Sequence, residues 1–145
     1  MASIKAYNSF KTIFAETLNY SKKEYGETTA KKFYQAYVNI RKRLARFPLS
    51  SPRESLLKRY LRPYRSTIIM KNWKIIYRYD ETYDRVILVD LWDMRMSTKR
   101  LLRQFKRHMW VHIINGIGGS IRNILMLPPF FFRIIHWKNC IGHIA

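Results

Sequence analysis

Cysteine is almost missing from this chain: Cys140 is the only one in 145 residues, so no disulfide can close within it. A reducing cytoplasm is the simplest expected home. Acidic residues are scarce too, nine Asp and Glu against 28 Lys and Arg, and none occurs from Met94 onward. Long apolar runs are absent. No stretch reaches the roughly 18 uninterrupted apolar residues of a spanning helix, so no transmembrane segment is expected. The start, MASIKAYNSFKTIF, lacks the basic opening and continuous apolar core of a secretory signal. A phosphate-cradling loop is missing as well, because the GIGG of Gly116 to Gly119 has neither the full glycine spacing nor a Lys-Ser/Thr ending.

What remains is strong positive charge. The formal net charge is +19, far beyond what solubility requires. It favours a polyanionic partner: nucleic acid, a ribosomal surface, an acidic protein segment or anionic lipid. The length suits one domain with a modest core and an appendage.

The periodicities predict an α+β fold in the order β-α-α-β-β-β. Ser3 to Tyr7 reads as a short strand, with Asn8 or Ser9 as the following N-cap. Phe10, Phe14, Ala15, Leu18 and Tyr25 recur at helical spacing up to Gly26, which fits a C-cap. A second helix is expected from Glu27 to Arg46, with Ala30, Phe33, Tyr34, Tyr37, Ile40, Leu44 and Phe47 on its apolar side and Pro48 after it. Helices joined at one glycine form a hairpin, here expected to pack on a small antiparallel sheet. A loop with a helical turn near Glu54 to Lys58 leads to three strands within Arg62 to Arg95, turning at Lys71-Asn72 and at Asp80 to Asp84. In the middle strand Trp73, Ile75, Tyr77 and Tyr79 alternate with Lys74, Ile76 and Arg78. One face should bury against a helix while the other shows cations. Arg85 to Trp92 is nearly all apolar, as expected of a central strand buried on both faces. Ser97 to Lys106 fits a short terminal helix.

The domain is thus expected over residues 1–107. Residues 108–145 are apolar and acid-free, with Arg122, Arg133 and Lys138 as their full charges. This tail is expected to be either non-native run-on sequence or a segment contacting a membrane surface or partner.

The motifs KEYGETTAKKFYQAYVNIRKRLARFP, LRPYR, WKIIYRY and VILVDLWDMR, in that order and spacing, resemble the RelE/ParE superfamily of type II toxin–antitoxin toxins over about residues 3–106. The likeness implies one of two actions. RelE-like toxins cleave mRNA in the ribosomal A site without a metal; ParE-like toxins inhibit DNA gyrase without catalysis. A degenerate module that only binds antitoxin is a third alternative. In each case an acidic, partly disordered antitoxin is the implied partner, and no cofactor is expected.

For cleavage, the likeness carries the catalytic role to Arg65, Lys74 and Arg95. Arg65 and Arg95 would bind phosphate and oppose charge developing on phosphorus. Lys74 would clamp phosphate or transfer a proton. Three departures stand out: Thr67 replaces a second lysine, Leu101 replaces a terminal tyrosine, and Lys74 replaces an arginine with bidentate geometry. The sheet region shows no histidine or glutamate to act as acid and base. Arg78 reads as a surface charge. Tyr64, Tyr77 and Tyr79 could stack on bases, although alternating aromatics in strands more often report burial. His108 with His112, and His136 with Cys140 and His143, have spacings that can suit zinc, but without an acidic second shell no metal site is expected. A chain ending after Arg107 is expected to fold and act as the full chain does; aggregation of that truncation in a thermal melt would place the tail within the fold.

Overall fold

The structure is a computed structural model that describes residues 1–116, with side chains through Trp110. β1 (Ser3–Ala6) runs into α1 (Asn8–Tyr25). Asn8 and Ser9 already lie inside the helix. The cap position falls to Tyr7, which makes no side-chain capping bond; its carbonyl accepts the Lys11 amide at 3.0 Å. Gly26 then separates α1 from α2 (Glu27–Arg46) and serves both. Its N–H donates to the Lys22 carbonyl at 3.1 Å, and its own carbonyl accepts the Ala30 amide at 3.3 Å. Its φ of +85° is what requires glycine, since a β-carbon there would meet nothing within 4 Å. Lys22 and Lys23 in the last turn of α1, and Glu27 in the first turn of α2, sit favourably on the helix dipoles.

The hairpin buries Phe10, Phe14, Phe33, Ile40 and Leu44 against Ile75, Tyr77, Val86, Leu88 and Leu91. Phe14 lies 5.5 Å from Phe33 and 4.3 Å from Tyr37 between ring centroids, which locks the two helices together. Helical spacing overreached at the margins. Ala15, Tyr25, Tyr34 and Phe47 are exposed, while the polar Thr17 and Ser21 turn inward.

β2 (Tyr64–Met70), β3 (Trp73–Asp80) and β4 (Arg85–Asp93) form the antiparallel part of the sheet. Single helical turns at Ser55–Leu57 and Glu81–Tyr83 precede β2 and β4. The strand order is β1-β4-β3-β2, and β1 pairs with β4 in parallel, so the sheet is mixed rather than antiparallel throughout. The helical hairpin between β1 and the later strands supplies the long crossover that parallel pairing requires.

The face carrying Lys74, Ile76 and Arg78 is not an open cationic surface. It is roofed by α3 (Thr98–Gly116), which is longer than the expected Ser97 to Lys106 segment. Leu57, Tyr64, Ile76, Ile87, Val89, Trp92, Leu101 and Phe105 form a second core there. Phe105 meets Tyr60, Tyr64 and Trp92 edge-to-face at 5.2, 5.0 and 6.2 Å. Leu101, in place of a tyrosine, is one of these packed residues. The compact unit runs from Met1 to Trp110 and so includes His108 and Met109. Both touch it, through Asp90 and Tyr64 respectively, so ending the chain after Arg107 removes contacts that ending after Trp110 keeps.

Phe105 is fully buried on α3 and fills the space between three rings. Phe105→Ala is expected to cost about 3–5 kcal/mol. Urea unfolding measures it, and a loss below about 1 kcal/mol would show that α3 does not carry the second core.

Candidate functional site

After α2 the chain does not wander over the surface. It returns along the outer edge of β2, where the Glu54 amide donates to the Tyr64 carbonyl at 2.9 Å and the Ser66 amide to the Pro52 carbonyl at 3.2 Å. Arg53 bridges to Arg65 in the same way. This strapping swings the Glu54 carboxylate over the end of the sheet, where Lys74 Nζ donates to Oε2 at 3.0 Å and the Leu56 amide to Oε1 at 3.2 Å. Glu54 is 3% exposed and Lys74 is 23% exposed, so the lysine is the member that reaches solvent. Burial raises the Glu54 carboxyl, but hydrogen bonds from Ser66, Lys74 and the Leu56 amide outweigh it and hold the group below its ordinary 4.5. A glutamate does therefore stand at the sheet, delivered by a loop rather than a strand.

Arg65 lies on the other face. It is in register with Tyr77, whose side chain belongs to the core beneath the hairpin, whereas Lys74 pairs with Ile68 one alternation out of phase. The Arg65 guanidinium donates to the Ser51 carbonyl at 2.6 Å and the Leu49 carbonyl at 3.4 Å, so it ties down the loop after α2. Thr67, where a lysine was expected, accepts a hydrogen bond from Arg43 of α2. That helix supplies a cation where the strand does not.

Arg95 stands beyond the end of β4. Its Nε and Nη2 donate to both oxygens of Asp93, at 2.9 and 2.7 Å on the closest contacts, and the side chain stays 54% exposed. The hydrogen bonds and charge of Asp93 push Arg95 further up, and Arg95 in turn holds the Asp93 carboxyl below the usual range. Asp93 pairs with Trp73 and Arg65 with Tyr77. Four residues of strand thus separate their levels, about 13 Å. Arg65, Lys74 and Arg95 do not converge on one phosphate. Lys74 with Glu54 forms one centre, Arg65 a structural tie four residues away, and Arg95 a third position just past β4.

Other expected roles change likewise. Arg78 is no surface charge: its side chain is 14% exposed and lies 3.8 Å from Asp80, which also takes Arg85 at 3.1 Å. Tyr64 and Tyr77 are buried, as alternation suggested. Burial pushes the Tyr64 phenol up, which unfits it as a proton carrier near neutral pH.

The largest surprise is Asp90, fully buried within the apolar run of β4. The pairings of Ile76 with Asp90 and of Tyr77 with Leu88 leave Val89 as an extra residue, and this bulge turns Asp90 towards α3. Trp92 Nε1 donates to it at 2.8 Å, its neighbouring Leu91 amide at 2.9 Å and Gln104 Nε2 at 3.1 Å, while His108 Nδ1 lies 3.1 Å away. A lone Asp in VILVDLW, with Gln104 and His108 four apart, was the signal for it.

Among the described residues no cluster of three His, Cys, Asp or Glu could hold a metal, and no helix is long and apolar enough to cross a membrane. The His112 side chain, His136, Cys140, His143 and the residues after Gly116 lie outside the described residues. No protein-family model matches the chain, and no curated protein matches it.

The Glu54–Lys74 pair has a pH signature. A carboxyl lowered by folding adds stability that is complete above its unfolded value, near 4.5, and is lost as pH falls through the lowered one. Lys74→Met is expected to cost about 2 kcal/mol at pH 7 and progressively less below pH 4. Urea titrations across that range check it; a pH-independent difference would remove the ion pair as its cause.

Proposed function

We propose that this protein is the toxin of a type II toxin–antitoxin pair, of the RelE/ParE kind, and that it inhibits translation by cleaving mRNA on the ribosome. The observation that carries the cleavage reading is the 3.0 Å contact between Lys74 Nζ and Glu54. It answers one chemical objection from the sequence, the want of a glutamate or histidine at the sheet. RNA cleavage without a metal needs the 2′-hydroxyl to lose its proton, here to solvent water, and attack the adjacent phosphate, while the bond from phosphorus to the 5′-oxygen breaks and that leaving oxygen gains a proton. Lys74 opposes the charge on phosphorus and donates that proton, and Glu54 holds it in place. Arg95, half exposed and oriented by Asp93, is a phosphate contact farther along the strand. The net charge of +19 suits the ribosome, the message and an acidic antitoxin alike. Such a protein would work in the cytoplasm.

A second reading, non-enzymatic inhibition of DNA gyrase, is favoured by Arg65. A guanidinium tied to two backbone carbonyls on the opposite face cannot join Lys74 at one phosphate.

A paired assay with purified protein separates the two. Programmed ribosomes are expected to show mRNA cleavage, reduced at least about 100-fold by Lys74→Ala or Glu54→Gln, while gyrase supercoiling stays intact. Lost supercoiling with intact mRNA would reverse the assignment. Full growth arrest by the Lys74→Ala, Arg95→Ala double variant would rule out cleavage.

A further inference from the structure

A cleft of about 240 Å³ opens between the tip of the helical hairpin and the β2–β3 turn. Tyr20 and Tyr25 flank it from α1, Trp73 from β3, and Phe33 forms part of its apolar lining; Lys71 and Arg95 supply its charge. The aromatic character is not ordinary core. Tyr20 and Tyr25 are 50% and 59% exposed, with rings 6.1 Å apart at 79°, and Trp73 is only partly covered by its edge-on contact with Phe33 at 6.3 Å. Rings left this open cost solvation that burial would have recovered.

We propose that this cleft takes an unpaired nucleotide of single-stranded RNA, its base against the tyrosines and Trp73 and its phosphate against Lys71 and Arg95. Aromatic faces beside cations are the chemistry that holds single strands, because every base has a π-face and every linkage a negative charge. Asp93 fixes the Arg95 guanidinium by two-point contact and Tyr25 touches it as well, so the cation is oriented before a ligand arrives. Lys22 and Lys23, in the last turn of α1, extend the positive surface beside the tip. A polymer rather than a free nucleotide suits this setting: the cleft is shallow and small, and the excess charge of the chain attracts many phosphates rather than one. Arg95 thereby becomes a binding residue that grips the strand at the same end of the sheet as Lys74 but from the hairpin side, opposite the face that carries Lys74. The inference rests on the RNA-directed reading only for the source of the strand, and it does not depend on cleavage.

The test uses the full chain without ribosomes. A fluorescein-labelled adenine hexaribonucleotide is titrated by anisotropy beside a hexamer of the same backbone lacking bases. The intact hexamer is expected to bind about tenfold more tightly, and Tyr20→Ala to reduce that difference at least about threefold without changing the abasic affinity. Equal affinity of the two hexamers for the unmodified protein would overturn the proposal, whatever the variant does. Adenosine monophosphate binding as tightly as the hexamer would overturn the assignment to a strand. Base-dependent binding together with intact mRNA on ribosomes would leave the cleft standing and remove cleavage, so the two readings fail separately.

Discussion

The burial of β4 on both faces is the constraint on which this structure depends. Val86, Leu88 and Leu91 face the helical hairpin, and Ile87, Val89 and Trp92 face α3. Two layers of helix therefore share one strand as their common wall. β3 inherits the same arrangement, with Ile75 and Tyr77 on one side and Ile76 on the other. A strand covered twice has no polar side, and the candidate chemistry is pushed to where coverage ends: Lys74 near the β2–β3 turn, Arg95 just past β4, Glu54 in the strap alongside β2. The layered core explains why the cations are scattered.

Scarce carboxylates finish that distribution. Glu54 holds Lys74, Asp80 holds Arg78 and Arg85, and Asp93 holds Arg95. Asp84 accepts the Tyr79 hydroxyl at 2.7 Å in the turn before β4. These acids fix local geometry and leave the large remainder of Lys and Arg without compensation. The resulting field acts over a Debye length and weakens with salt, so the approach of a polyanion should be steered while its final seating is set by a few oriented groups.

The elements were largely legible in the sequence because their punctuation is local. Gly26, Lys71-Asn72 and the alternation from Trp73 to Tyr79 each act within a few residues, and both helices of the hairpin and all four strands fall where that grammar puts them, while α3 runs past its expected end. The parallel pairing of β1 with β4 was not legible, since it joins distant segments whose local patterns are silent on direction. The site was harder still. Glu54 reaches Lys74 only because a loop with no periodicity is zipped to β2, and Arg65 faces away because strand phase, not residue type, decides the side. Asp90 was hidden by its neighbours: an apolar run reads as apolar even when a bulge turns one of its members into a buried acceptor.

The strap along β2 has one more consequence, for the company this protein can keep. A sheet ends in two rims of unsatisfied backbone, each a template for a foreign strand. Here the segment before β2 is stitched to one rim by the amides of Glu54 and Ser66, which leaves β1 at the other. That second rim is four residues long and carries Lys5. Short and charged, it discourages identical copies from adding edge to edge, where like charges would meet. Among the described residues, the open rim thus favours an added strand of opposite charge over a second copy of itself.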